Sequence, residues 1–203
     1  MPALHSNWGC GPGHTGSRWS INRWSDGSLS AETGQVDGVV VRRAVPADWE
    51  RSRAIRLRAL RDAPLAFAST YEREIAFQPE LWQERIAGSA QFLAEDATGE
   101  VIGTASGRGD PDRPDTVLLV AMFVVAEARR SGVGEQLVRA VVAQARTDGA
   151  SRVRLHVVET NHDAARLYAR CGFARTGVTE PLPHTPELAE HEMVLDLDGA
   201  RGR

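Results

Sequence analysis

The sequence predicts an α/β fold, of the mixed type also described as α+β, in which about seven strands form one central sheet with helices on both faces. Three observations support this prediction. Strand and helix patterns follow one another in the order β-α-α-β-β-β-α-β-α-β-β. The strand at residues 116–125 is apolar throughout, which indicates that both of its faces are covered. The next helix carries apolar residues at helical spacing, as expected for packing on a sheet.

The first half of the predicted domain begins with a short strand at Val39. Two helices follow, from Pro46 to about Arg61 and from Pro79 to Gly88, and each starts with a proline, which suits a first helical turn. Strands at 91–96 and 99–108 share the turn residues at 96–99, a pattern typical of a hairpin. In the first helix we expect four core contacts: Trp49, Ala54, Leu57 and Leu60.

The second half contains two further helices, each between strands. One extends from Gly134 to Asp148 and is closed by a glycine, and the other extends from an Asn161 cap to Arg170 and is also closed by a glycine. A strand at 151–159 separates these helices. The last two strands are predicted at 173–178 and 191–197, with a proline-rich loop at 179–190 between them.

Composition excludes several classes of function. All 24 basic residues are arginine, so the chain has neither the lysine of a phosphate-binding P-loop nor one for Schiff-base chemistry. The two cysteines are too few for a disulfide framework, and the histidines share no ligand spacing, so no metal site is predicted. The net charge of -3, with arginines interspersed among acids, gives no reason to expect nucleic acid as a partner.

The two ends of the chain differ from the domain between them, which we place at residues 38–198. Residues 1–37 are rich in Gly and Ser without a helical or strand period, and we predict a disordered N-terminal extension there. Residues 199–203 are expected to form a C-terminal tail. No apolar segment reaches the roughly 18 residues that span a bilayer, so we expect no membrane partner and a cytoplasmic location.

Two glycines, Gly132 and Gly134, lie where the apolar strand gives way to a helix. The first N–H groups of a helix lack intrahelical partners, and the helix dipole adds partial positive charge there. Glycine lets a bulky anion approach the backbone, so this segment suits a pyrophosphate, although a simple tight turn explains the same residues. A dinucleotide-binding fingerprint is disfavoured because its third glycine is replaced by Leu137. The proposed cradle comprises Arg129, Arg130, Ser131, Gly132, Val133 and Gly134.

Two blocks of sequence match motifs that occur together in one known family. The block FVVAEARRSGVG carries an Arg/Gln-x-x-Gly-x-Gly/Ala pattern at Arg129, Gly132 and Gly134. The block NHDAARLYARCGF carries an Asn-x-x-Ala-x-x-Leu-Tyr-x-x-x-Gly-Phe pattern at Asn161, Ala164, Leu167, Tyr168, Gly172 and Phe173. Together they resemble the signatures of the GNAT superfamily, the acetyl-CoA-dependent N-acetyltransferases. The resemblance covers about 39–197, and it departs from the family at Ala126, where a proline is common.

The resemblance implies a mostly antiparallel sheet, splayed where the cofactor enters, and acetyl-CoA as co-substrate without a metal. The strand before the glycine loop would offer main-chain groups to the cofactor arm around Phe123, Val124 and Val125. Tyr168 would act as the general acid on the departing thiolate, since a phenol stays protonated at neutral pH. Asn161 would contact either the pantetheine arm or a bound water in addition to capping its helix, and Ala164 would contact the cofactor.

The acceptor and the general base are less well defined by the sequence. The resemblance implies a primary amine, either a small molecule or a protein N-terminus, bound between Ala63–Tyr71 and Glu180–Glu190. His156 suits a base by its ordinary pKa, but a histidine packed on the sheet explains it equally well. Glu72 and Glu74 are expected on a solvated helix face. A non-catalytic acyl-CoA-binding module and a nucleotide-binding protein remain as alternatives, and a homodimer paired through the C-terminal strands is compatible with an open sheet.

Overall fold

The computed structural model describes residues 38–182 and 185–197 of the 203-residue chain. The predicted N-terminal extension and C-terminal tail therefore lie outside the described residues. The elements are β1 (Val40–Arg43), α1 (Trp49–Asp62), α2 (Tyr71–Ile75), α3 (Pro79–Ala87), β2 (Ala90–Glu95), β3 (Val101–Gly109), β4 (Thr116–Val124), α4 (Val133–Thr147), β5 (Arg152–Val158), α5 (His162–Arg170), β6 (Ala174–Leu182) and β7 (Thr185–Asp196).

The strands form one seven-stranded sheet in the order β1-β2-β3-β4-β5-β7-β6. Every neighbouring pair is antiparallel except β4 and β5, which are parallel because α4 carries the chain back across the sheet between them. The predicted fold class and order are confirmed, with α2 as one short helix that the sequence pattern did not predict. Among the described residues, no helix is long and apolar enough to cross a membrane.

Helices cover both faces of the sheet. On one face α4 buries Leu137, Val138 and Val141 against β2, β3 and β4, and α5 adds Tyr168 to the same core. On the other face α1 places Ile55 and Ala59 in a second core with Leu93 of β2. The expected core contact at Ala54 is wrong, since this residue is exposed, and the α1 stripe lies one residue further along at Ile55.

The two C-terminal strands are longer than predicted. Residues 179–190 were expected to form a loop, but β6 continues to Leu182 and β7 already begins at Thr185. Pro181 is tolerated because β6 is the edge strand of the sheet, where a missing N–H donor costs little. Pro186 lies on β7 outside the residues that pair with β5, which are Glu190–Asp196. This predicted loop is therefore corrected to a long β-hairpin, whose residues 183 and 184 lie outside the described part.

Candidate active site

A gap in the sheet lies between the two parallel strands. β4 and β5 pair only from Thr116 to Leu118 on the β4 side, and beyond these three partners the strands diverge. A β-bulge at Ala121 contributes to this, because three steps along β4, from Val120 to Phe123, oppose only two along β3. Ala121 has a positive φ of 54°, a strained conformation for a residue with a Cβ. The predicted splay of the sheet is therefore present.

A cleft of about 980 Å³, the main cleft, fills this gap. It lies between the end of β4, the start of α4 and one side of α5. Its volume is at the upper end of the range for ligand sites, so it suits a large, elongated molecule. Nine of the twelve residues predicted as a site line it: Phe123, Val124, Arg129, Arg130, Gly132, Gly134, Asn161, Ala164 and Tyr168.

The other three predicted residues do not line the main cleft. Val125 and Val133 are both buried, one in each hydrophobic core, so only their main-chain groups are available to a ligand. Ser131 is exposed, and its hydroxyl donates to the carbonyl of Ala128 at 2.7 Å, which shapes the loop before α4.

The main-chain groups at the end of β4 face alternately toward and away from the gap. Val125 N–H donates to the carbonyl of Ile102 on β3 at 3.0 Å, so the main-chain groups of Val125 point toward β3. Because the direction alternates along a strand, the main-chain groups of Val124 point toward the gap. Arg129 Nε donates to the Val124 carbonyl at 3.1 Å, which leaves the Val124 N–H as the group directed into the main cleft. Of the three predicted main-chain contacts, Val124 therefore has the most suitable orientation.

The start of α4 forms one wall of the main cleft and favours an anion. Gly132 has a φ of 89°, a left-handed conformation that glycine adopts without strain, and it turns the chain into the helix. The N–H groups at the start of this 15-residue helix lack intrahelical partners and carry the positive end of its dipole. Arg129, Arg130 and Arg170 line the same cleft and have no ion-pair partner among the described residues. Diphosphate chemistry suits this wall.

Gly134 is needed for packing within the protein as well as for ligand approach. A Cβ at this position would lie 3.0 Å from Leu167 Cδ2 and 3.2 Å from Met122 Cε. The second glycine of the motif therefore brings α4 close to α5 and to β4 on either side of the main cleft. This packing role is additional to the backbone freedom expected of Gly134 from sequence.

Asn161 fixes the start of α5 and with it the position of the predicted acid. Its side-chain oxygen accepts a hydrogen bond from Ala164 N–H at 3.1 Å, so the expected N-cap is present. Two turns later Tyr168 is buried, with only 6% of its surface exposed, and its ring packs against Phe173 at 6.0 Å between ring centres. Its hydroxyl makes no hydrogen bond to any part of the chain that the structure describes. Burial raises the pKa of Tyr168, so the phenol remains a proton donor at neutral pH.

Comparison with known proteins identifies the family. Residues 56–173, more than half of the chain, match the model of the Acetyltransferase (GNAT) family. The chain belongs to this family. This result confirms the resemblance carried by the two sequence blocks, since the matched residues contain both of them.

Relatives of this GNAT chain include enzymes of known type. It is 33% identical over 153 residues to mycothiol acetyltransferase from Thermomonospora curvata, a match that covers 73% of this chain and 50% of the relative. The chain spans about half the length of the curated relatives it matches. Its fold is similar to a GCN5-related N-acetyltransferase from Kribbella flavida, at 27% identity and a TM-score of 0.62 over 79% of this chain and 98% of the other.

A second solved structure of similar fold contains the cofactor of the family. It is a GNAT superfamily phosphinothricin acetyltransferase from Sinorhizobium meliloti in complex with AcCoA, with a TM-score of 0.68 at 20% identity. The similarity covers 82% of this chain and 93% of that protein. At 20% identity, this similarity supports the fold of the chain and nothing beyond the fold.

A second, smaller cavity of about 220 Å³, the side cavity, adjoins the main cleft in this GNAT chain. Both are lined by Phe67, Met122, His156 and Tyr168, so these residues lie where the two spaces meet. Burial and the positive charge of Arg154 lower the pKa of His156, and the ring is therefore neutral at pH 7. The side cavity thus meets the main cleft beside the predicted acid.

The predicted acceptor segments contribute to the side cavity in part. Phe67 and Ser69 of the segment Ala63–Tyr71 line it. Glu180 and Glu190 of the second segment also line it, and they belong to β6 and β7 and not to a loop. Glu74 contradicts the expectation of a solvated helix face, because it is fully buried and paired with Arg56 at 2.8 Å and with Arg85 at 3.0 Å. Glu72 is exposed as expected.

Two cationic residues of the main cleft, Arg166 and Arg170 of α5, were not predicted from sequence. They follow each other at i,i+4 and therefore share a face of the helix, which is a signal that the sequence does contain. It carries little weight alone, because exposed arginines at this spacing are common on solvated faces.

Proposed function

We propose that the chain is an N-acetyltransferase that moves an acetyl group from acetyl-CoA to a primary amine by direct attack, with Tyr168 as the general acid. The observation that carries this proposal is the position of Tyr168. Its side chain is buried, its hydroxyl makes no hydrogen bond within the described chain, and the residue lies where the main cleft meets the side cavity. A donor in this place can reach one ligand in each space.

The main cleft suits acetyl-CoA by its chemistry. The start of α4, with Arg129 and Arg130, would hold the diphosphate, and the Val124 N–H would bind the acyl or pantetheine part along the open edge of β4. Asn161 and Ala164 would line the path between them. The bound thioester supplies the activated acetyl group, while these residues bind and orient it.

The reaction then needs few groups from the protein. The amine nitrogen forms a bond to the thioester carbonyl carbon, the carbon–sulfur bond breaks, and sulfur leaves with the electron pair. Tyr168 donates its proton to sulfur. The new amide nitrogen loses its surplus proton to water, and water returns a proton to the Tyr168 oxygen. The products are an acetylated amine and coenzyme A. A small-molecule amine or a protein N-terminus is the proposed acceptor, and the cytoplasm is the proposed location.

The first experiment measures cofactor binding and turnover. We expect acetyl-CoA to raise the Tm, and thiol to be released when members of a broad panel of amines are added. Cofactor binding without transfer to any amine would contradict the enzymatic proposal and favour an acyl-CoA-binding module. Stronger binding of ATP or NAD than of coenzyme A in equilibrium dialysis would contradict the use of acetyl-CoA.

The second experiment tests the role of Tyr168. We expect Tyr168→Phe to lower kcat by about 10²- to 10⁴-fold, the usual contribution of a general acid, while the Kd for acetyl-CoA changes little. Tyr71→Phe is the matched control, because Tyr71 lies on α2 and lines neither cavity. Unchanged kcat across the pH range in Tyr168→Phe would show that the assignment is wrong.

A further inference from the structure

Two glutamates of the side cavity, Glu180 on β6 and Glu190 on β7, are direct cross-strand partners. Like charges placed directly opposite on neighbouring strands destabilise a sheet. Neither carboxylate has an ion-pair or hydrogen-bond partner in residues 38–182 and 185–197. Burial and, to a smaller extent, the charge of Glu180 raise the pKa of Glu190 to about 6, so Glu190 is still mostly ionised at pH 8.

The neighbouring buried carboxylates are treated differently. Glu192, two residues further along β7, binds Arg154 at 2.9 Å and Arg113 at 3.1 Å. Asp110, also buried, binds Arg154 at 2.6 Å. Arginines thus pair with these carboxylates, whereas in residues 38–182 and 185–197 no guanidinium group forms an ion pair with Glu180 or Glu190, although Arg108 and Arg154 line the same cavity. A cation from outside the chain would complete the pattern.

The position of the pair relative to the reaction centre indicates which cation this is. The side cavity has the two glutamates among its lining, and it shares Tyr168 and His156 with the main cleft. The Tyr168 side chain is more than nine-tenths buried, and its hydroxyl has no hydrogen-bond partner in the described chain, which points to a ligand at that junction. The reacting amine must be neutral when it attacks, and two carboxylates would instead stabilise its charged form. The pair therefore suits a second, non-reacting cationic group of the same acceptor.

We propose that Glu180 and Glu190 bind a second cationic group of the acceptor, so that the preferred acceptor is a small diamine-type molecule. This inference rests on the proposed acetyltransferase function and specifies the substrate class of the same site. One amine reacts beside Tyr168, while the distal ammonium replaces the missing counter-charge of the pair.

The test uses three amines at pH 8 with the same three methylenes between the amine and the distal group: butylamine, 1,3-diaminopropane and 4-aminobutyrate. They differ only in the distal group, which is a methyl, an ammonium or a carboxylate. We expect kcat/KM to be highest for the diamine and lowest for the amino acid. In Glu190→Gln and Glu180→Gln, the ratio of kcat/KM for the diamine to that for butylamine should fall about tenfold, mainly through KM, as expected for a lost charge-assisted contact.

Glu187→Gln is the matched control, because Glu187 lies on the same hairpin but is exposed and lines neither cavity. It should leave the ratio unchanged. Equal or better use of 4-aminobutyrate, or an unchanged ratio in both cavity variants, would overturn the inference. Glu180 is exposed, so its variant keeps the test available if Glu190→Gln does not fold. Thiol release from none of the three amines, nor from a broader panel, would instead indicate failure of the proposed function itself.

Discussion

Glu74 on α2 and Glu190 on β7 are two carboxylates withdrawn from water in opposite surroundings. Burial alone would raise the pKa of Glu74, but the hydrogen bond and charge of Arg56 and the charge of Arg85 outweigh it and hold that pKa at about 2. Glu190 has no such partner in the part of the chain that the structure describes, and burial together with the charge of Glu180 raises its pKa to about 6. A buried carboxylate that stabilises the fold therefore has its counter-charge within the chain, whereas one without it is available to a ligand.

The arginine network of Glu74 also shapes the acceptor side of the molecule. Arg56 donates to Glu74 from α1 and stacks over Phe67 at 4.5 Å from the ring centre. Phe67 in turn lines both cavities. The ion pair therefore fixes the segment between α1 and α2 against the sheet, and it holds the aromatic wall beside Tyr168 in place.

The largest expected effect is the loss of stability in Glu74→Gln. Removing one partner of a buried ion pair typically costs about 3–5 kcal/mol, and here Arg56 and Arg85 lose the carboxylate that they share. Urea denaturation near neutral pH measures the change in the free energy of unfolding. Glu72→Gln, on the exposed side of the same helix, should change it by less than about 0.5 kcal/mol. Equal effects of the two variants would show that the ion pairs of Glu74 do not stabilise the fold.

The second prediction for Glu74→Gln concerns how the free energy of unfolding depends on pH. The folded-state pKa of Glu74 lies near 2 and its ordinary value is 4.5, so its contribution is complete above pH 4.5 and is lost as the pH falls toward 2. A shift of this size corresponds to about 3 kcal/mol. The difference in unfolding free energy between the wild type and Glu74→Gln should therefore narrow below pH 4.5. A constant difference across this range would contradict the assigned pKa.

The contrast between the two glutamates could not be predicted from sequence. Glu74 precedes Arg85 by 11 residues and follows Arg56 by 18, so no local pattern connects the three. Its expected position on a solvated helix face was wrong for this reason. Glu190 was predicted within an acceptor segment, but in a loop, because the prolines at 181 and 186 are typical of loops. Both prolines lie in strands.

The main cleft could be predicted far better, because its determinants are local. Gly132 and Gly134 sit between a strand and a helix, and the Asn161 cap lies seven residues before Tyr168, so each motif fixes its own geometry. The side cavity depends on residues 66–69, which precede α2, lying close to β6 and β7. Such a meeting is set by tertiary packing, for which the sequence pattern contains no direct signal.

The smallest expected effect is a gain of stability in Glu190→Gln, opposite in sign to that of Glu74→Gln. A raised folded-state pKa means that ionised Glu190 destabilises the fold above about pH 6, and that this cost disappears as the pH falls to its ordinary value of 4.5. Discounted for partial exposure to solvent, the gain should be about 1 kcal/mol at pH 8 and close to zero at pH 4.5. Thermal denaturation at the two pH values measures it, with Glu187→Gln as the control.

If Glu190→Gln were less stable than the wild type at pH 8, Glu190 would have a stabilising partner after all, and the pair could not be kept for a ligand. A gain that coincides with loss of the diamine preference would instead link the cost in stability directly to acceptor binding.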